Sequence, residues 1–215
     1  AAQRESEGVV VPITVPKTPR RLTITAAAMV MLYAGLTLGA QGVSALGVGV
    51  AAAPNAAHGR VYVGVRLTQA QLRDAGVRNR LEAMHVTAIV DGQTATDAPN
   101  ALRELAHRGV DVGNGGWGHG RPFRFLRAQT DVARTSDVMQ REAGVKCREF
   151  VPERRLDFFD QLWSRRRHQR LVEPDFVFKP ETLPSTLAER KVIVLDGRER
   201  DTASVRVALA DLHVA

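Results

Sequence analysis

One cysteine, Cys147, stands in 215 residues. An internal disulfide is therefore excluded, and with no Cys or His partner at metal spacing the thiol does not belong to a zinc site; a buried, inert cysteine is expected. Lysine is nearly as scarce, since Lys17, Lys146, Lys179 and Lys191 are the only lysines among 30 basic residues. The formal charge of +7 is thus an arginine charge. Clustered cations ordinarily point to phosphates, but an arginine excess spread along a chain reflects base composition, and nucleic acid is set aside as a partner. The third absence is of charge itself: from Leu22 to Ala57 there is no Asp, Glu, Lys or Arg.

That uncharged run divides the chain. Residues 22–39 are dense in Leu, Met, Val, Ile and Ala, and at 1.5 Å rise per residue they make a helix about as long as a bilayer core is thick. Residues 40–57 are rich in Gly, Ala, Ser and Val and read as a linker. Ala51, Ala52 and Ala53 would suit a signal peptidase, so a cleaved signal competes with a transmembrane anchor, and a buried helix of a globular protein is the third reading. Lys17, Arg20 and Arg21 flank the run and would stay on the cytoplasmic side. The expected organisation is a cytoplasmic tail over 1–21, an anchor or signal over 22–39, a linker over 40–57, and a folded domain over 58–215 that is membrane-anchored outside the cytoplasm or secreted.

Beyond His58 the apolar pattern alternates between the two regular periods, which favours βαβ units and a parallel sheet. Val61, Val63 and Val65 share one face of a first strand. Thr68 caps a helix carrying Leu72, Val77, Leu81 and Met84. Residues 86–90 form a second strand closed by Asp91-Gly92, and Asp97 and Pro99 open the next helix as N-cap and first-turn residue. Leu102, Leu105 and Ala106 lie on one face of that helix, Gly109 supplies the left-handed stop, and Val110-Asp111-Val112 begins a third strand. A helix is expected over 130–143, with Val132, Val138 and Met139 inward and Gly144 ending it. Leu156, Phe159, Leu162 and Trp163 stripe another, whose basic end holds Arg165, Arg166, Arg167, His168 and Arg170. Pro180 and Pro184 mark a loop, residues 192–195 a last buried strand, and Val205, Leu209 and Leu212 a last helix.

The third strand leads into Gly113-Asn114-Gly115-Gly116-Trp117-Gly118-His119, a glycine-rich turn at a strand's C-terminal end, where α/β barrels place chemistry. Helix, Gly stop, strand and loop together resemble the second motif of the NodB-homology polysaccharide deacetylases. The resemblance implies a distorted (β/α) barrel, a divalent metal such as zinc held by two loop histidines and an aspartate, and deacetylation of an N-acetylated sugar. Gly113, Asn114, Trp117 and His119 fit the motif. Gly115 replaces its first histidine and Gly118 its serine. Gly64-Val65-Arg66-Leu67 stand where the first strand should end in two aspartates, one the base and one a ligand, and Leu195 stands where the acid histidine should be. The arginine that tunes the base has no secure match in Arg148-Glu149-Phe150-Val151-Pro152-Glu153.

His119 is thus the only matched ligand, and three or more protein ligands are usual for a catalytic divalent ion. The favoured expectation is an envelope-associated, deacetylase-like domain that binds glycan or another envelope component without catalysis and without cofactor. Its candidate pocket is His119, Trp117, Asn114, Asp91, Asp196, Arg66 and Phe123, the aromatics and arginines of 120–125 being suited to a sugar. The main alternative is an active deacetylase with a rearranged zinc site drawn from His119, Asp91, Asp196 and Glu153 or Asp157. A membrane-anchored scaffold for other proteins is the third, because an enzyme fold does not guarantee enzyme function.

Overall fold

The structure is a computed structural model that describes residues 19–45, 62–118, 130–153, 158–182 and 192–212. Of the residues singled out above, Lys17, Ala51, Ala52, Ala53, His58, Val61, His119, Phe123, Leu156, Asp157, Pro184 and Lys191 lie outside these. The chain divides into two compact units, residues 1–36 and 37–215, each taken by itself.

The N-terminal helix α1 spans Pro19–Ala45. It runs six residues into the expected linker, as helix-compatible Ala and Gln allow. Ile24, Met29, Val30, Met31, Leu32 and Leu38 are all exposed, so no polar face develops. Among the described residues no helix is long and apolar enough to cross a membrane. The expectation of a transmembrane anchor over 22–39 therefore goes without support.

The second unit is α/β, built on seven strands: β1 (Tyr62–Arg66), β2 (Thr87–Val90), β3 (Val112–Asn114), β4 (Glu149–Phe150), β5 (Arg170–Leu171), β6 (Phe176–Phe178) and β7 (Val192–Asp196). They form one sheet in the order β5-β4-β3-β2-β1-β7-β6, and every pairing is parallel. The four strands read from the sequence are thus parallel neighbours. The sheet curls into a half barrel, as the distorted (β/α) barrel implied by the resemblance would, and among the described residues no pairing joins β5 to β6.

Period-two alternation sorts the strand residues between two cores. Val63, Val65, Ala88, Val90, Val112 and Leu195 face outward into the main core, against Leu72, Val77, Leu81, Leu102, Leu105, Val205 and Leu209 of the helices. Each such Val or Leu side chain, once fully buried, adds about 1.5–3 kcal/mol. Tyr62, Ile89, Val151, Val172 and Val194 converge on the concave side. That interior is narrow, since a Cβ on Gly64 would lie 2.5 Å from Ile89 Cδ1.

The helices are α2 (Gln69–Arg73), α3 (Ala75–Met84), α4 (Gly92–Asp97), α5 (Pro99–His107), α6 (Thr135–Val138), α7 (Phe158–Arg166) and α8 (Thr202–Asp211). Five-residue π-turns, Thr130–Arg134 and Met139–Ala143, flank α6. Thr68 makes a full capping box with Gln71, but the single helix expected after it is two. Asp74 ends α2 and caps α3 by accepting from Val77 N at 2.9 Å. Pro99 opens α5, whereas Asp97 closes α4, and the N-cap is Ala98 with no side-chain bond. Gly109 and Gly144 have φ of 82° and 70°, the left-handed stops expected of them. Cys147 is buried, and burial pushes its thiol up to about 12.

At the N-terminal end of the strands Tyr62 donates to Glu149 Oε2 at 2.8 Å. Burial, then the Glu149 charge, push the phenol up. Burial also pushes Glu149 up from 4.5, against the opposing pull of Tyr62 and Arg170. A raised carboxylate binds its proton more tightly folded than unfolded, so its stabilisation belongs to acid pH and is lost as pH rises above 4.5. Glu149→Gln should therefore gain on the parent between pH 4 and pH 7 in urea unfolding. A difference that does not change with pH would contradict this.

Candidate functional site

The C-terminal ends of the strands, where parallel sheets of this kind hold ligands, carry a chain of ionic groups. Arg66 ends β1 and is 2% exposed. Its side chain continues the inward series of Tyr62 and Gly64, and its Nη2 donates to the carbonyls of Val151 at 3.2 Å and Pro152 at 2.6 Å, in the segment that follows β4. Asp196, the last residue of β7, is its register partner. Arg198 grips that carboxylate with two bonds, Nε to Oδ1 at 2.7 Å and Nη2 to Oδ2 at 2.6 Å. Its remaining nitrogen, Nη1, reaches Glu153 Oε1 at 3.1 Å. Burial alone would raise the Asp196 carboxyl, but the hydrogen bonds and charge of Arg198, with the charge of Arg66, hold it below its ordinary 3.8.

A buried polar residue fixes the loops beneath this network. Gln71 Oε1 accepts from Thr68 N at 3.0 Å, while its Nε2 donates to the carbonyls of Gly197 at 2.6 Å and Arg200 at 3.0 Å. The turn after β1 is thereby tied to the turn after β7. Sequence reasoning found Arg66, Asp196 and Glu153 but not Gln71 or Arg198. For Gln71 the signal was its place three residues after the Thr68 cap.

The other sequence candidates go elsewhere. Asp91 is the N-cap of α4 and accepts from Thr94 N at 2.6 Å. Asn114 ends β3 two residues later than the strand was expected to stop, and is fully buried. It donates to Val132 O at 2.9 Å and Ser136 Oγ at 3.1 Å and accepts from Gly116 N at 2.9 Å, stapling the glycine loop to the turn before α6. Trp117 lies against Gly92 and under Arg134, whose guanidinium carbon is 3.6 Å from the ring centre. Leu195 faces the outer core, so it is Asp196 that β7 presents at the strand ends.

These residues do not fit a divalent ion. Among the described residues no three of His, Cys, Asp and Glu lie together. The two carboxylates present, Asp196 and Glu153, are bridged by Arg198, and the guanidinium of Arg66 adds positive charge beside Asp196. Gly115 is also cramped: a Cβ there would be 3.1 Å from Ile89 Cγ2 and 3.3 Å from Val90 O, so an imidazole would need both to give.

The architecture is that of the family 4 carbohydrate esterases, the NodB-type polysaccharide deacetylases, and the chain carries a domain of that fold. A family 4 carbohydrate esterase of Streptomyces lividans superposes with a TM-score of 0.59 at 16% identity, over 72% of this chain and 85% of that one. PdaA of Bacillus subtilis, of the same family, gives 0.57 at 14% identity, over 73% and 76%. A family 4 pseudoenzyme of Bacillus anthracis gives 0.54 at 11% identity, over 71% of this chain and 59% of that chain, so the present chain spans less than two thirds of it. No protein-family model and no curated protein matches the sequence.

Proposed function

We propose that the domain is a non-catalytic relative of the polysaccharide deacetylases, exported to the cell envelope, where it binds glycan or another envelope component. The observation that carries this is Arg66, a buried cation clasped by two carbonyls where the family's first motif keeps its carboxylates. Metal-assisted amide hydrolysis needs a Lewis acid and a base that takes a proton from water. A guanidinium does neither at neutral pH. Loss of catalysis on this fold has a precedent, since the Bacillus anthracis protein is a pseudoenzyme and a mutant of it has restored activity. Export rests on the uncharged run after Lys17, Arg20 and Arg21, taken as a signal segment.

The purified chain should bind less than stoichiometric zinc and release no acetate from N-acetylated oligosaccharides, while calorimetry with the same sugars registers binding. Stoichiometric zinc together with acetate release that His119→Ala abolishes would overturn the proposal in favour of a rearranged hydrolase. Protease treatment of intact cells tests export: a domain protected until the membrane is broken would refute it.

A further inference from the structure

A groove of about 720 Å³ lies on the helical side of the sheet, apart from the strand-end network. It is lined by Thr96 of α4, Trp117, and Arg134, Asp137, Val138 and Arg141, with Arg167 from the turn after α7. Arg134, Asp137, Val138 and Arg141 follow one another at helical spacing, so they share a face. Three guanidiniums thus share a groove with the Asp137 carboxylate, and Arg141 is paired outside it, its Nε donating to Glu142 Oε1 at 2.8 Å. Asp137 is already taken, by bonds of 2.7 and 2.9 Å from Arg167 Nη1 and Nη2.

Arg134 differs from its neighbours in what holds it. It is exposed, its guanidinium carbon lies over the Trp117 ring at 3.6 Å from the ring centre, and among the described residues no carboxylate pairs with it. Stacking fixes the plane of the guanidinium but leaves its edge, where the N–H donors are, for a ligand. A planar fork of that kind matches a carboxylate or phosphate, which it can grip with two parallel bonds. Trp117 is itself braced, with its ring against Gly92, so the stack is preorganised. The described lining has the same sign, with Arg134, Arg141 and Arg167 against the single carboxylate of Asp137. In such a setting, charge favours an anion over a neutral ligand.

We infer that this groove is a binding site for a sugar bearing an oxyanion, carboxylate or phosphate, with Arg134 as its anchor. The sugar rests on the proposed glycan-binding function; the preference for an anion rests on the groove alone. Titration of the full chain with glucuronate, glucose 6-phosphate, inorganic phosphate and neutral glucose tests it. Glucuronate or glucose 6-phosphate should bind at least 10-fold more tightly than glucose, and the stronger of the two identifies the oxyanion. Arg134→Gln should weaken that binding 10-fold or more, and Asp137→Asn, which releases Arg167, should tighten it. Thermal melts of both variants confirm that they are folded. Equal binding of charged and neutral sugars, or anion binding indifferent to Arg134→Gln in a folded protein, would overturn the assignment. Inorganic phosphate binding as tightly as glucose 6-phosphate would overturn the sugar and with it the glycan reading of this groove, whereas anion binding indifferent to Arg134→Gln in a chain that still binds neutral oligosaccharide would leave the proposed function standing and sink only the groove.

Discussion

Arg66→Met should lower the unfolding free energy by about 3–5 kcal/mol, the cost of breaking a buried charged contact by removing one partner. Methionine fills much of the volume, but it leaves the Val151 and Pro152 carbonyls without the guanidinium donor and strips a positive charge from the neighbourhood of Asp196. Buried acceptors left in this way cost their full desolvation. Arg66→Lys should recover only part, because an ammonium on a flexible stem cannot reproduce the planar donor geometry. Urea unfolding checks the series, and a change below about 1 kcal/mol in Arg66→Met would show that the guanidinium does not hold the strand ends together.

Acid separates the two arginines. The folded Asp196 carboxyl is held below its ordinary 3.8, so its contribution is complete above that value and disappears as pH falls through the depressed one. Arg198 provides most of that hold, and Arg66 a smaller share. The acid limb of the stability curve should therefore persist in Arg66→Met and flatten in Asp196→Asn. An unchanged limb in Asp196→Asn would place the acid sensitivity on other carboxylates.

The parts of the chain that the sequence made legible are those decided locally. The alternating Val63 and Val65 of β1, the apolar runs of β2 and β7, the Thr68 cap and the glycine stops at Gly109 and Gly144 each express a local preference, and they are where they were read. Strands β5 and β6 were missed because they are two and three residues long and carry no period of their own; pairing with β4 and β7 defines them. The break at Asp74 was missed because the apolar stripe continues across it. At the site, the residue substitutions were visible, but the meaning of Arg66 was not. That depended on the segment after β4 presenting two carbonyls to it, a contact 85 and 86 residues away along the chain. Trp117, Asn114 and Asp91 were grouped with Arg66 because all sit at strand ends. The pleat separates them: Asn114 stands on the outward series of β3, and the loop that follows turns Trp117 toward α4 and α6.

Gly92 offers a test of that separation in which two principles predict opposite signs. It is the first residue of α4, and by helix propensity alone Gly92→Ala should stabilise, by up to about 1 kcal/mol. Packing says otherwise. A Cβ there would stand 2.3 Å from Trp117 Cε3, 2.7 Å from Cζ3 and 2.8 Å from Thr135 Oγ1, so the braced indole or the helix must move. Overpacking of a buried site costs about 1–3 kcal/mol, and the rigid ring puts this case toward the upper end. Gly92→Ala should therefore destabilise by about 2–3 kcal/mol, net of propensity. Gly118→Ala is the control: among the described residues the nearest atom to a Cβ there, Gln93 Oε1, is 3.9 Å away, and its effect should stay within about 0.5 kcal/mol. In a Trp163→Phe background the emission of Trp117 should shift to the red in Gly92→Ala, as the ring leaves its seat, and glucuronate or glucose 6-phosphate binding should weaken with it because Arg134 loses its platform. A stabilised Gly92→Ala with unchanged emission would mean that Trp117 is not wedged against α4, and that the groove's anchor is not preorganised by the fold.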